Sequence, residues 1–298
     1  MGSRFELVAI SDHEAIGEEA IALAIYEIQR IEDLISSWVS DSETSRINQQ
    51  AGITPVRVSE ELFDLIERSI KVSDLTGGAF DITFNSLDPF WIFDGREMEQ
   101  VDSALISASV RKINYRNIML NRDSLTIFLK EKGMKIGFGA IGKGYAANRG
   151  KKVMITHGIK NGLINAGGDL IAWGKQQNGE PWQIGIADPD KQKDYIAWLN
   201  VSDLSVVTSG NYEKFVIIDG KRYGHIINPK TGYPAAGIQS VTVVSPDAEL
   251  SDALATSVFV LGVDKGLELI NRLKHIECLI VDDQNKTWTS DQLKLNYY

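Results

Sequence analysis

The run of residues 137–144, GFGAIGKG, points most directly to chemistry in this 298-residue chain. It matches the phosphate-binding P-loop pattern G-x-x-x-x-G-K, in which backbone amides and a lysine contact the phosphates of a nucleotide. A P-loop continues with Ser or Thr, whose hydroxyl binds Mg²⁺, but this chain has Gly144. The run therefore predicts contact with a phosphorylated ligand, and any metal must be bound by residues elsewhere.

Asp252 and Thr256 are candidates for those metal ligands. They lie four residues apart in the segment SDALATS at residues 251–257, so both side chains fall on one face of a predicted helix. A carboxylate and a hydroxyl are hard oxygen ligands that suit Mg²⁺. A carboxylate in a first helical turn is more often a cap that stabilises exposed amides, and both interpretations stay open.

His225 is the candidate for proton transfer. It lies in the segment YGHIINPKTGYP at residues 223–234, where proline and glycine restrict the loop. A lone histidine is more often structural, but a rigid loop would aim the ring outward, and an imidazole exchanges protons near pH 7. The structural and catalytic interpretations of His225 both stay open. For the segments NAGGD at residues 165–169 and TSGNY at 208–212, ordinary turn chemistry is an adequate explanation.

Composition excludes several classes of protein. The chain carries 31 Lys and Arg against 40 Asp and Glu, for a net charge of −9. Without a basic face, nucleic acid is not expected as a partner. The single cysteine, Cys278, lies in an apolar run and is expected to be a buried core residue without a disulfide. No stretch reaches the ~20 apolar residues of a membrane span. The N-terminus lacks the long apolar segment of a signal peptide, but a trimmed signal or anchor would leave no trace, so the compartment stays open.

The predicted elements that position these residues alternate between hairpins and helices. Apolar periodicity and turn residues predict strands at residues 4–10, 117–120, 124–129, 135–138, 162–165, 182–186, 197–201, 239–245 and 276–281. They predict helices after a cap at Ser11 or Asp12, from Ser59 to Gly77, and at 145–156, 252–260 and 265–273. Residues 36–50 are predicted to be a polar loop, and Asp219 and Gly220 are predicted to form a hairpin turn.

Strands paired in hairpins favour an α+β fold over a doubly wound sheet. We expect mixed, mostly antiparallel sheets flanked by helices. No linker rich in Pro, Gly or Ser divides the chain, so residues 1–298 are predicted to form one compact domain.

Taken together, the polar and glycine-rich segments resemble the ApbE family of flavin transferases, the FAD:protein FMN transferases, over nearly the whole chain. The motifs that carry this resemblance, in chain order, are MGS at residues 1–3, Trp38 with Asp41 and Ser42, TGGAFDI at 76–82, WIF at 91–93, GAIGKGYAA at 139–147, NAGGD at 165–169, TSGNY at 208–212, HIINPKTG at 225–232 and DALAT at 252–256.

The resemblance implies a reaction and a set of site residues. FMN from FAD is transferred to a Thr or Ser hydroxyl of an acceptor protein that carries the sequence D-x-x-S/T-G-A-S/T, and AMP is released. Mg²⁺ would be held by Asp252, Thr256 and the backbone carbonyls of Ala140 and Ala255. FAD contacts are implied for Met1, Trp38, Trp91, Ile92, Phe93, Lys143 and Ile227, and a role in proton transfer for His225. Family members commonly modify subunits of membrane transport complexes outside the cytoplasm.

Two residues depart from the family pattern, which usually has Asp at the positions of Gly137 and Asn148. These departures concern FAD affinity and adenosine orientation rather than the type of reaction. Two alternatives share the same site: an FAD pyrophosphatase that uses water as acceptor, and a flavin-binding module without chemistry. A P-loop NTPase is disfavoured because Gly144 replaces the required Ser or Thr.

Overall fold

The computed structural model describes residues 3–99, 101–191, 194–211 and 214–296. The chain forms two compact units. The first comprises Met1–Glu32, Ile141–Gly210 and Gly237–Tyr298, and the second comprises Asp33–Ala140 and Asn211–Ala236. The expectation of one domain over residues 1–298 stays a prediction.

The first unit is built on a seven-stranded antiparallel sheet. Its strands, in spatial order, are β1 (Phe5–Ile10), β5 (Asn161–Ala166), β6 (Asp169–Trp173), β9 (Leu204–Gly210), β12 (Ile238–Ser245), β13 (Glu277–Asp282) and β14 (Thr287–Thr289). A separate antiparallel pair is formed by β7 (Trp182–Ala187) and β8 (Tyr195–Val201). The helices of this unit are α1 (Glu14–Ile35), α5 (Gly142–Thr156), α6 (Ala248–Leu261) and α7 (Val263–Asn271). The last three residues of α1 belong to the second unit.

Alternation along the strands divides the apolar residues of this sheet between two cores. On one face, Ile164 and Ile171 pack with alanines of α1 and α5. Ala172, the next residue of β6, belongs to the other core, together with Ile186 and Leu199 of the β7–β8 pair. Because successive side chains of a strand point to opposite faces, one sheet separates a helical layer from a β-hairpin layer.

The second unit contains shorter elements. They are helices α2 (Glu43–Gln49), α3 (Glu60–Leu75) and α4 (Ser103–Val110), the 3₁₀ helices Ile82–Ser86 and Tyr115–Asn117, a sheet in the order β2 (Val56–Arg57), β4 (Thr126–Leu129) and β3 (Ile118–Asn121), and the hairpin of β10 (Phe215–Ile218) and β11 (Lys221–Gly224). This mixture of helices and antiparallel sheets confirms the predicted α+β class. The predicted start of α3 at Ser59 is also confirmed. The Ser59 side chain caps this helix by accepting the N–H of Leu62.

Two predictions of local structure in the second unit are wrong. The polar loop expected at residues 36–50 contains α2, which Ser42 caps by accepting the N–H of Ser45. Residues 135–138 belong to no strand, because side chains form the backbone hydrogen bonds of Lys135 and Ile136. The side-chain oxygen of Asn48 accepts the backbone N–H of Ile136 at 2.7 Å, and the side-chain nitrogen of Asn48 donates to the backbone carbonyl of Ile136 at 3.0 Å. The carboxamide thus replaces a neighbouring strand.

Other predictions of local structure are confirmed. The hairpin turn at Asp219 and Gly220 joins β10 to β11. Cys278 is a free, fully buried thiol in β13, and burial raises its pKa to about 12. In the described part of the chain, no helix is long and apolar enough to cross a membrane.

Candidate active site

The N-terminus of α5 meets α6 inside the first unit. Helix α5 begins at Gly142, so Lys143 and Gly144 lie in its first turn, and the residue before it, Ile141, provides no side-chain cap. Instead, the carboxylate of Asp252 on α6 accepts the N–H of Gly144 at 3.1 Å. A carboxylate is stabilised at this position by the partial positive charge of a helix N-terminus.

The interpretation of Asp252 as the cap of its own helix is wrong. Helix α6 begins at Ala248, and Asp247 caps it by accepting the N–H of Leu250 at 3.0 Å. Asp252 therefore lies in the second turn of α6, where it is only 3% exposed. The sequence pattern placed the helix start about one turn too late.

A second buried carboxylate, Asp169, completes the charged cluster. It is 1% exposed and accepts a hydrogen bond from the ammonium group of Lys143 at 2.6 Å. Burial raises the pKa of Asp169 well above its usual range; the negative charge of Asp252 raises it further, and Lys143 opposes both effects. The other carboxylate oxygen, Oδ1, has no hydrogen-bond partner within the described residues.

Asp169 was not among the residues selected from the sequence. The turn predicted at residues 165–169 is present, with Gly167 and Gly168 both at positive φ, so turn chemistry does explain the glycines. It does not explain an acidic residue at the start of a buried strand, since aspartate is depleted in strands. An aspartate at the start of a predicted strand was therefore the sequence feature that could have identified this residue. Its burial, which indicates a functional role, is visible only in the structure.

Thr256 lies one turn beyond Asp252 on the same helix. Its hydroxyl is 3.4 Å from that of Ser209, near the end of β9. Ser209 belongs to the segment at residues 208–212, whose Tyr212 lies outside the described residues. Ala255 is fully buried in the same helix.

These residues fit a hard divalent cation. Two buried carboxylates, Asp169 and Asp252, lie close together, and the ammonium group of Lys143 bonds to Asp169. Burial of negative charge is costly unless it is compensated, so a cation would be favoured here. The oxygen of Asp169 without a partner and the hydroxyl of Thr256 add donors of the type that Mg²⁺ prefers. No group of three or more His, Cys, Asp or Glu side chains suited to a metal occurs among residues 3–99, 101–191, 194–211 and 214–296. Any metal site would therefore combine carboxylate, hydroxyl and backbone oxygens.

In the second unit, the loop after β11 gathers several predicted flavin contacts. The indole N–H of Trp91 donates to the carbonyl of Gly232 at 2.8 Å, and its ring lies 5.6 Å from that of Tyr233. Phe93 meets the exposed ring of His225 edge to face, with 6.4 Å between the ring centroids. Ile227 forms a β-bridge with Pro234 inside the loop, and Ile92 is 52% exposed.

Trp91 also borders a cavity of about 230 Å³, whose other lining residues are Val101, Ile218, Asp219, Tyr223, Tyr233 and Pro234. Trp38 lies apart from this cavity. It is 90% exposed and borders a larger cavity of about 520 Å³, lined also by Ser37, Ser40, Ser45, Asn48, Gln49, Asn85, Leu87, Pro89 and Lys135. Both cavities combine aromatic and polar groups, as small-molecule sites do.

The sequence of residues 1–280 matches the model of the ApbE family. The chain belongs to the ApbE family. It is 32% identical over 300 residues to a FAD:protein FMN transferase of Klebsiella pneumoniae (strain 342), covering 100% of this chain and 92% of that protein. The crystal structure of an ApbE protein from Thermotoga maritima has a TM-score of 0.89 at 29% identity, covering 97% of this chain and 94% of that one. For the flavin transferase ApbE from Vibrio cholerae, the TM-score is 0.82 at 26% identity, with 98% and 94% covered.

The first departure from the ApbE pattern, Gly137, has a local explanation. A β-carbon at this position would lie 3.1 Å from both Cγ and Nδ2 of Asn85. Such contacts are tighter than most packing contacts, so an aspartate at residue 137 would require the side chain of Asn85 to shift. Asn85 also borders the cavity next to Trp38.

The second departure, Asn148 on α5, joins two helices. Its amide donates to the carboxylate of Asp247 at 2.9 Å, and its carbonyl oxygen accepts the N–H of Ala248 at 3.1 Å. Asn148 therefore supports the N-terminus of α6, the helix that carries Asp252. An aspartate at this position would lack the N–H donor and would place a second negative charge beside Asp247.

Two predicted site residues remain. Ala140 is the last residue of the second unit's first segment and lies in the turn before α5. Met1 lies outside the described residues.

Proposed function

We propose that this chain is a Mg²⁺-dependent FAD:protein FMN transferase. It transfers the FMN half of FAD to a Ser or Thr hydroxyl of an acceptor protein through a phosphoester bond, and AMP is released. The observation that carries the proposal is the buried cluster of Lys143, Asp169 and Asp252 at the N-terminus of α5. The similarity of the whole chain to proteins named for this activity supports the same reaction.

Asp252, Thr256 and the backbone carbonyls of Ala140 and Ala255 are the proposed Mg²⁺ ligands. Bound there, Mg²⁺ would neutralise charge on the pyrophosphate of FAD. The buried carboxylates and the oxygen donors of the first unit support this assignment.

Lys143 and the N-terminal amides of α5 are assigned to the phosphates. The ammonium group of Lys143 lies on a side chain that is 26% exposed, so a ligand can reach it. A helix N-terminus adds amides and partial positive charge that favour an anion. Together they would stabilise the charge that develops as the pyrophosphate bond breaks.

Aromatic residues of the second unit are assigned to the rings of FAD. Exposed Trp38 offers a free surface for stacking. Trp91 is fixed by its hydrogen bond to Gly232, and Phe93 contacts His225. Ile92, Ile227 and Met1 complete the proposed FAD contacts.

The transfer step forms one bond and breaks one. The acceptor hydroxyl oxygen attacks the phosphorus of the FMN half, and the bond from this phosphorus to the bridging oxygen of the pyrophosphate breaks. AMP takes that oxygen and its electron pair. We assign the proton of the acceptor hydroxyl to His225, because its exposed ring lies on a loop fixed by internal hydrogen bonds, including the bond from Gly232 N–H to the carbonyl of Asn228 at 2.8 Å.

The experiment that tests this function supplies three components to the purified chain: FAD, Mg²⁺ and an acceptor protein with the sequence D-x-x-S/T-G-A-S/T. The proposal expects the intact mass of the acceptor to rise by one FMN group, with AMP appearing in equal amount. Replacing the acceptor Ser or Thr by Ala is the matched control and should abolish the gain.

Two other results would reject the proposal. Accumulation of FMN and AMP with an unmodified acceptor would identify an FAD pyrophosphatase, in which water replaces the hydroxyl. Binding of FAD without either product would identify a flavin-binding module.

A further inference from the structure

Asp169 belongs to the buried cluster but is assigned neither as a Mg²⁺ ligand nor as an FAD contact in the proposed reaction, although its environment is unusual. It is a carboxylate at 1% exposure, placed beside Asp252 by the turn that starts β6. Burial of a carboxylate is costly unless specific partners compensate for it. The partner that the structure provides is the ammonium group of Lys143, at 2.6 Å.

This ion pair constrains a flexible side chain. Lysine has four rotatable carbon–carbon bonds and loses much conformational entropy when it is held in one position. A buried carboxylate at the start of a strand is by contrast fixed by the backbone. The pair therefore fixes the ammonium group at the N-terminus of α5 before any phosphate arrives, which reduces the ordering cost of binding.

The geometry points to Asp169 as a positioning residue that fixes the ammonium group of Lys143 for the phosphates of FAD. This inference rests on the proposed function. It assigns Asp169 no contact with FAD: the residue acts through Lys143, whose ammonium group has three donors and can hold Asp169 and a phosphate oxygen together.

A double-mutant cycle tests this role by measuring FAD binding without an acceptor. We expect Asp169→Asn to raise the Kd of FAD by about 10- to 100-fold, the range of one hydrogen bond to a charged group. In a Lys143→Met background, the same substitution should change the Kd by less than about 2-fold, because no ammonium group remains to be positioned. A cost of similar size in both backgrounds would overturn the inference, since Asp169 would then act directly, for example on the cation.

A second measurement does not depend on FAD. Trace acetylation followed by peptide mass spectrometry reports how accessible the amine of Lys143 is. We expect its rate to rise several-fold in Asp169→Asn, because the ion pair that holds the amine is lost. An unchanged rate would overturn the inference. The control is Glu27→Gln, which removes another largely buried carboxylate of the same unit and should leave the Lys143 rate unchanged.

Asp169→Glu is a second variant that keeps the charge but moves the carboxylate by one methylene group. It should shift both measurements in the same direction as Asp169→Asn but by less. If wild-type protein binds FAD but transfers no FMN, the proposed function fails and the cycle still decides the role of Asp169. If wild-type protein does not bind FAD, both proposals fail.

Discussion

The backbones of α5 and α6 touch at Gly144 and Ala248. A β-carbon at Gly144 would lie 2.1 Å from the carbonyl oxygen of Ala248 and 2.9 Å from the β-carbon of Asp252. Both distances are shorter than any tolerated packing contact, so only glycine fits. The residue that breaks the P-loop pattern is therefore a requirement of helix packing, and the same approach brings the Gly144 N–H to Asp252.

Restoring the P-loop residue should damage this protein. We expect Gly144→Ser to lower the free energy of unfolding by about 3 kcal/mol or more, because the new side chain forces α5 and α6 apart. Urea denaturation measures the loss. Gly139→Ala is the control within the same run, since its β-carbon would only meet Phe84 at 3.7 Å. A Gly144→Ser variant as stable as wild type would contradict the packing argument.

Asp252→Asn should remove the negative charge of this side chain while preserving its structural hydrogen bond to Gly144. The amide oxygen of the new side chain can still accept the N–H of Gly144, so we expect the fold to persist. The negative charge that would attract the proposed Mg²⁺ is lost. FMN transfer should therefore fall by at least about 100-fold, since losing a group that only orients a metal ligand already costs up to this factor. Transfer measured against Mg²⁺ concentration tests this. Asp264→Asn, at an exposed site in the first turn of α7, should behave like wild type.

Trp38→Ala should affect binding without affecting folding. The side chain is 90% exposed, so its loss should leave the melting temperature unchanged. Stacking of a ring on an aromatic side chain is worth roughly 1–3 kcal/mol, so the Kd of FAD should rise by about 5- to 100-fold. Trp38→Phe keeps an aromatic face and should recover part of the affinity. Equal affinity in all three proteins would remove Trp38 from the flavin site.

Local patterns predicted the secondary structure where a short segment decides it. Ser59 and the glycines at 77 and 78 set the ends of α3, and Asp219 with Gly220 sets a hairpin. The segment at residues 135–138 could not be distinguished from a strand, because the partner of Ile136 is the side chain of Asn48, 88 residues away.

The residues of the site were predictable where a local motif identifies them, but the contacts between these residues were not. Motifs identified Lys143 and Asp252 individually, but their connection runs through Asp169 and through the contact of Gly144 with α6. Both depend on tertiary packing of segments that are far apart in the chain. A single sequence does not show which glycine faces a backbone and which acidic residue is buried.

Asn148 and Asp247 should behave as a matched pair. We expect Asn148→Asp to lower the free energy of unfolding by about 1 kcal/mol at pH 7, because one hydrogen bond is lost and two carboxylates face each other. The double variant Asn148→Asp with Asp247→Asn should recover most of the stability, since asparagine is also a good helix cap. Additive losses in the double variant would contradict this pairing.

Glu27 links α1 to α5 and should make stability depend on pH. Its carboxylate accepts the Nε–H of Arg30 at 2.8 Å and pairs with Arg149 at 2.7 Å. The hydrogen bond from Arg30, and secondarily that from Arg149, lowers the pKa of Glu27 from 4.5 to about 2 despite its burial. Because the pKa is lower in the folded state, the stabilisation is complete above pH 4.5 and is lost as the pH falls towards 2.

Glu27→Gln should therefore lower the free energy of unfolding by its full amount only above pH 4.5. At pH 7 we expect a loss of roughly 2 kcal/mol, as for a hydrogen bond between charged groups, and the difference from wild type should shrink steadily from pH 4.5 to pH 3. Glu67→Gln is the control on the surface. Glu67 pairs with Lys71 and Arg122, but its side chain is 35% exposed, so its removal should cost about 0.5 kcal/mol or less. Equal losses in the two variants would show that burial adds nothing to the Glu27 pairs.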